Sequence, residues 1–240
     1  MKSIYIGVCK TREDERFKKS FRDFTDSICS KYSVCQTVVK DTFLADAQNY
    51  IAKCFIQSDY DYLLLMDDDH WGHTPEMLEC LINADAYMAT IKSYSRHYPY
   101  FSCLMNRRPE DDLFVGIEVG EGYIPCDMTG FPMTLIKREL FDKLEYPYFE
   151  AEQEGGRNWV TDTVFCRRLV NMGIKPVGCF QYCLPHADIT EDNVIRKRRE
   201  EGVRGDNFYW QMIFDKYVTP KLRAINPERV KGEQLCTAHQ

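Results

Sequence analysis

The 240-residue chain has no apolar run that approaches the length of a membrane span, so nothing in it predicts a helix that crosses a bilayer. Its opening, MKSIYIGVCK, puts a single lysine ahead of a short β-like run and lacks the long apolar stretch and small-residue cleavage site of a secretory signal. There is no CxxC pair, and the 11 cysteines are odd in number and scattered. That excludes an ordinary disulfide framework and leads to the expectation of free thiols in a reducing, cytoplasmic setting. Positive charge is also short: the net charge is -6, so no global field attracts nucleic acid, and any such binding needs a local patch. Repeats, low-complexity tracts and linkers are absent too. The expectation is one domain over residues 1–240, with a first half (1–92), a second half (93–187) and a charged helical tail (188–240).

What the sequence does have is YDYLLLMDDDH at residues 60–70. A short apolar run between two helical patterns reads as a buried central strand. Three acids at its end make poor core, because unpaired carboxylates repel one another and resist desolvation. They suit the carboxyl edge of a parallel sheet, where open α/β folds place ligands. Side chains alternate along a strand, so Asp67 and Asp69 share a direction and can share a hard divalent cation. A second frame pairs Asp68 with His70, and a solvated acidic turn is the plain alternative.

The rest of the chain is an alternation of strands and helices. Strands are predicted at 3–8, 33–39, 62–66 and 86–91, and helices after Thr11 through Ile28 and at 43–56 and 76–83, which implies a mostly parallel sheet flanked by helices. Thr11 is expected to cap the first helix, whose buried face carries Phe17, Phe21, Phe24 and Ile28. The second helix is expected to bury Leu44, Ala47, Ile51 and Phe55. Thr74 followed by Pro75 starts the third. Beyond residue 92 the rhythm breaks. A hairpin is expected from 113–119 and 123–126, then a strand at 130–136, a helix at 137–144, a helix at 162–172 ended by Gly173, and a last strand at 174–182.

Four stretches carry a resemblance. They are DYLLLMDDD, ATIKSYSRHYP, CDMTGFPMTLIKRELFDKL and VTDTVFCRRLVNMGIKPVG, in that order, and a histidine, His186, follows the last predicted strand. Together they resemble the GT-A class of nucleotide-sugar glycosyltransferases with a DxD motif, including compact stand-alone members of the kind found in bacteriophages. The resemblance spans roughly residues 4–186. It implies a single GT-A-like α/β domain with a Rossmann-like sheet, a mixed acceptor side and a helical C-terminal tail. It also implies transfer of a hexosyl or pentosyl group from a nucleoside-diphosphate sugar to an acceptor hydroxyl. The implied cofactor is Mn²⁺ or Mg²⁺, acting as a Lewis acid on the leaving diphosphate.

On that resemblance Asp69 ligates the metal, Asp67 holds the ribose or reaches the metal through water, and His186 completes the shell. A histidine ligand favours Mn²⁺ over Mg²⁺. Lys92 and Arg96 add positive charge near the diphosphate, or form a solvated basic loop. Lys10, Thr11 and Asp41 sit where the nucleoside binds, although Asp41 also fits a helix N-cap. Asp162 matches the acid that faces the acceptor, as general base in an inverting reaction or as an orienting group in a retaining one. The motif usually opens with two acids, and here it opens Thr161-Asp162. His186 also reads as an ordinary polar residue, and Cys179, Cys183 and His186 as an incomplete zinc set. Trp71 and Trp159 can stack on sugar or base, or pack in the core. The acceptor stays open among a glycan, a protein, a small metabolite and a hydroxymethylated DNA base. The run Arg196-Lys197-Arg198-Arg199 suits a phosphate backbone but is interleaved with acids. The rivals are a metal-dependent nucleotidyltransferase or phosphohydrolase, against which stands the missing glycine in Cys9-Lys10-Thr11-Arg12, and a non-catalytic nucleotide-sugar-binding module.

Overall fold

Among the described residues, five strands in parallel and two against them make the central sheet. In the computed structural model, which describes residues 1–95, 101–108, 113–118, 120–154 and 157–194, the elements are β1 (Ser3–Lys10), α1 (Glu15–Ile28), β2 (Ser33–Lys40), α2 (Leu44–Ile56), β3 (Tyr62–Asp67), α3 (Pro75–Asn83), β4 (Met88–Ser93), β5 (Met105–Arg108), β6 (Leu113–Gly116), β7 (Tyr123–Pro125), β8 (Thr134–Lys137), α4 (Arg138–Phe141), β9 (Glu152–Glu154), β10 (Arg157–Trp159), α5 (Thr161–Asn171) and β11 (Val177–Leu184). The chain divides into two units, Met1–Glu191 and Asp192–Gln240, and all of these elements belong to the first. Among the described residues the main sheet has the order β2-β1-β3-β8-β4-β11-β7. β8 runs antiparallel between β3 and β4, and β7 runs antiparallel to β11. No helix among the described residues is long and apolar enough to cross a membrane.

β3 is a continuous apolar run because both of its faces are covered. Leu64 and Met66 join Ile4, Ile6 and Val8 of β1 against Phe17, Phe24 and Ile28 of α1 and Met77, Leu78 and Leu81 of α3. Leu63 and Leu65 turn the other way, to Ala47, Ile51 and Phe55 of α2 and Phe165 and Leu169 of α5. Each such side chain, fully buried, contributes about 1.5–3 kcal/mol of transfer free energy, so a one-residue slip of β3 would misplace every one of them.

Several local expectations are corrected. Asp14, not Thr11, caps α1, accepting from the backbone N–H of Arg16 and Phe17. Residues 113–119 and 123–126 do not form a hairpin: β6 pairs with β5, and β7 pairs with β11. Gly120-Glu121-Gly122 looked like a tight turn, but β7 finds its partner at the sheet edge instead. Leu44 is exposed, and α2 buries Gln48 and Asn49 in its first turns. The helix expected at 137–144 is the single turn α4. Thr74 does cap α3 with Pro75 at its first position, and Gly173 takes the left-handed φ of +76° that ends α5.

Asn49 explains its own burial. Its amide donates to the Phe149 carbonyl at 2.7 Å, and its oxygen accepts from Tyr148 N–H at 2.9 Å and Phe149 N–H at 3.1 Å. That clamp seats Phe149, whose ring stacks on Phe165 of α5 at 4.7 Å. Asn49→Ala leaves buried backbone groups unpaired and is expected to lower stability by about 1–3 kcal/mol. The midpoint of urea-induced unfolding measures it, and an unchanged midpoint would contradict the clamp.

Candidate metal and donor site

The alternation of β3 continues into the acids and separates them. Asp67 follows Leu63 and Leu65 toward the α5 face, and its N–H donates to the Phe131 carbonyl at 3.2 Å. Asp68 follows Leu64 and Met66 toward the α1 face and is buried against the loop after β1. Asp69 lies in the turn beyond the strand, where Ala187 N–H donates to its carbonyl at 2.7 Å. That bond ties the end of β3 to the chain leaving β11. His70 and His186 form an antiparallel bridge there, and their rings stack at 4.2 Å. Ala187 adopts a left-handed φ of +52°, which turns the chain so that His186 and Ile189 exchange both backbone hydrogen bonds at 2.9 Å.

Asp69, His70 and His186 each offer a ligand atom, all within 4.8 Å of one another. The Nδ1 of His186 lies 2.8 Å from the Tyr94 carbonyl. A carbonyl oxygen only accepts, so Nδ1 carries a proton and Nε2 is the nitrogen left for another partner. That Nε2 faces Asp69 Oδ2 at 3.2 Å. Two lone pairs in that position need a proton or a metal ion between them, and a backbone carbonyl that fixes the tautomer is the usual support of a metal-bound histidine. The ring of His70 is buried, with Nδ1 3.2 Å from Asp69 Oδ1 but off the hydrogen-bonding direction, so neither ring nitrogen makes a hydrogen bond. A buried imidazole with no partner is costly. One carboxylate and two imidazoles therefore fit a divalent cation that accepts nitrogen ligands.

The electrostatics agree with the geometry. Burial, then the charges of Asp69, Asp162 and Asp68, push the Asp67 carboxyl well above its usual range. Burial acts to raise Asp69 as well, but the His186 and His70 imidazoles hold it well below the usual carboxylate range. Burial drives His70 down to about 4. Asp162, on the first turn of α5, is raised chiefly by burial, against which work the Thr163 N–H at 2.6 Å and the Thr163 hydroxyl at 3.3 Å. A Cβ added at Gly130 would lie 3.6 Å from Asp162 Oδ2, so the glycine keeps the space beside that carboxylate open.

The other candidates lie elsewhere. The Thr11 hydroxyl and N–H are both bound to Asp68. Lys10 pairs with Glu13. Asp41 is exposed just past β2 with a left-handed φ of +54°. Lys92 is buried, its ammonium on the Glu118 carbonyl at 3.1 Å and the Glu191 carboxylate at 3.0 Å. Trp71 is held by the Ala187 carbonyl at 2.8 Å, with Arg16 over its ring. Cys179 is a core residue beside Cys80, and with Cys183 it joins no metal cluster among the described residues. Arg96, the Trp159 side chain and Arg196-Lys197-Arg198-Arg199 lie outside the described residues. Arg12 was not singled out by its sequence, yet its Nη1 lies 3.3 Å from Asp69 Oδ2. Its place just past the carboxyl end of β1 was the one available signal.

Comparison with known proteins supports the fold. No protein-family model matches the chain, and no curated protein matches its sequence. Among solved structures, A197 from STIV is similar with a TM-score of 0.53 and 15% identity over 78% of this chain and 85% of that one. Glucosyl-3-phosphoglycerate synthase from Mycobacterium tuberculosis, solved with Mn²⁺, uridine diphosphate and phosphoglyceric acid, is similar with a TM-score of 0.50 and 12% identity over 82% of this chain and 75% of that one. The fold is GT-A-like. In both comparisons the likeness is one of architecture, at identities too low to transfer residues.

Below the site, His73 holds the turn after Trp71. Its Nδ1 meets the Ser20 hydroxyl at 2.9 Å, and burial drives its pKa down to about 3 from 6.5. A histidine kept neutral on folding stabilises fully above its unfolded pKa, and that share is lost as pH falls toward the folded value. Stability is therefore expected to fall between about pH 6 and 4, with His73 contributing roughly 1.4 kcal/mol per pH unit. His73→Asn should be less stable at pH 7, with the gap to wild type closing toward pH 4. Urea unfolding in EDTA across that range measures it, and a gap independent of pH would contradict it.

Proposed function

We propose that the protein is a metal-dependent glycosyltransferase that moves a sugar from a nucleoside-diphosphate sugar to an acceptor hydroxyl. The observation that carries the reading is the cluster of Asp69, His70 and His186 at the carboxyl edge of a GT-A-like sheet, each offering a ligand atom within 4.8 Å of the others, with His186 Nε2 3.2 Å from Asp69 Oδ2. Asp69, His70 and His186 would hold the metal. Two nitrogen ligands favour Mn²⁺ over Mg²⁺. Bound there, the ion supplies Lewis acidity to the leaving diphosphate.

The chain's own groups carry the remaining roles. Asp67, on the α5 side of the strand that carries Asp69, would take a ribose hydroxyl. Asp162 takes the proton of the acceptor hydroxyl as general base in an inverting reaction. Its raised pKa strengthens it for that task, provided the pH stays above that pKa. Lys10, Thr11 and Lys92 have their polar groups engaged by other residues, so of the residues expected to hold the nucleotide Asp41 is the exposed one. A reducing compartment belongs to the same reading: the ten described cysteines are free thiols. The acceptor chemistry is a hydroxyl, with glycan, protein and modified base as the classes to screen.

Two experiments test this. Thermal shift with UDP-, GDP- and CMP-sugars, with and without Mn²⁺, is expected to show a metal-dependent rise in melting temperature for one donor class. Asp69→Asn should abolish that rise and most turnover. Free nucleoside diphosphate as product supports transfer, whereas nucleoside monophosphate with sugar phosphate would identify a phosphohydrolase instead. Asp162→Asn keeps the shape of the side chain and removes its basicity. It should leave donor binding and melting temperature near wild type while transfer falls by a factor of about 10²–10⁴. Near-normal turnover of that variant would exclude Asp162 as the base.

A further inference from the structure

The second acid of the triplet works away from the cleft. Asp68 is buried, and its Oδ2 accepts the backbone N–H groups of Thr11 and Arg12, each at 2.6 Å. The Thr11 hydroxyl adds a bond to Oδ1 at 3.2 Å. Three donors compensate the desolvation of one carboxylate, and all three belong to the loop after β1. The backbone of Arg12 is thereby fixed beside the triad, while its side chain stays 41% exposed. The guanidinium reaches Asp69 Oδ2 at 3.3 Å, the oxygen that also faces His186 Nε2 at 3.2 Å.

We propose that Arg12 is an exchangeable counter-ion: it neutralises Asp69 while the metal site is empty, and it moves to the donor's diphosphate once a divalent cation takes Asp69. The inference rests on reading the site as one for a metal and a nucleoside diphosphate. Arg12 and His186 meet the same oxygen of Asp69, so a divalent cation bound at Oδ2 repels the guanidinium and competes with it for that oxygen. The arginine is not lost to solvent on leaving, because Asp68 anchors its main chain. A planar fork of N–H donors then meets a doubly charged diphosphate in the geometry it suits best. Asp68 is accordingly a positioning residue, and Arg12 a ligand of the substrate.

Exchange has a signature that a static role lacks. Removing the Arg12 charge frees Asp69 for metal but deprives the nucleotide of a partner, so the two affinities move in opposite directions. The test is Mn²⁺ binding alone, read from the free-ion electron paramagnetic resonance signal, and calorimetric binding of UDP and of GDP at saturating Mn²⁺. Arg12→Gln should bind Mn²⁺ several-fold more tightly and a nucleoside diphosphate about tenfold more weakly. Arg12→Lys should keep metal affinity near wild type and recover part of the nucleotide affinity. Asp68→Asn should weaken nucleotide binding in the same direction as Arg12→Gln, and the exposed Arg12 variants keep the test intact even if Asp68→Asn fails to fold. If the wild type binds Mn²⁺ and a diphosphate but Arg12→Gln shifts neither affinity, or shifts both the same way, exchange is wrong and the site reading stands. If the wild type binds neither, both fall together.

Discussion

Three neighbouring carboxylates at the end of a buried strand cannot all be desolvated and charged without compensation, and the architecture around β3 is arranged to supply a different compensation to each. Asp68 receives backbone and hydroxyl donors from the loop after β1. Asp69 receives two imidazoles and a guanidinium. Asp67 receives a single backbone hydrogen bond from Phe131, which does not offset burial and the charges of Asp69, Asp162 and Asp68, so its pKa rises. The division follows from strand geometry: Leu63, Leu65 and Asp67 share one face, Leu64, Met66 and Asp68 the other. The register that buries the leucines is the register that distributes the acids.

The histidine side of the site depends on that same register through a longer path. Two strands separate β11 from β3, yet His186 reaches Asp69: the ladder of β8 with β3 ends at Leu65, the segment before β8 makes its bond to β3 at Asp67, through the Phe131 carbonyl, and Asp69 lies past it in the turn. The left-handed Ala187 then folds the chain back, and its N–H closes on the Asp69 carbonyl. A non-glycine residue at positive φ is a small strain held by its surroundings. Here the surroundings are the Trp71 indole on the Ala187 carbonyl and the mutual bonds of His186 and Ile189. Both hold the imidazole where its Nε2 meets the Asp69 carboxylate.

The parallel half of the fold was legible because its signals are local. The alternation of apolar strands with helices, the Thr74-Pro75 start of α3 and the abrupt end of β3 at the acids are each short-range patterns with one good solution. The antiparallel insertions were less so. β7 looked like half of a hairpin because a Gly-Glu-Gly turn precedes it, but its partner β11 lies about fifty residues on. The site was partly legible for the same reason. Asp69 and His186 stand at predicted strand ends, so order along the chain placed them at one edge. Lys10 and Lys92 stand at strand ends as well, and only packing shows that their ammonium groups turn to Glu13 and Glu191. The destination of a long side chain is set by neighbours remote in sequence, and no period encodes it.

Asp162 connects the two halves. It enters on α5, whose inner residues Phe165 and Leu169 pack on the same side of the sheet as Leu63, Leu65 and Asp67. The helix is therefore seated by hydrophobic contacts with the strand that carries the acids, and its first turn is brought to the strand's charged end. The Asp162 charge is among the causes that raise Asp67, so a proton or a cation gained by either carboxylate changes the field at the other. Gly130 stands beside it, where an added Cβ would come within 3.6 Å of Asp162 Oδ2. On the proposed reading, donor and acceptor then meet in a single electrostatic field. The apolar packing of α5 on β3 would set the distance between them, so a core substitution at Phe165 or Leu65 acts on chemistry as well as on stability.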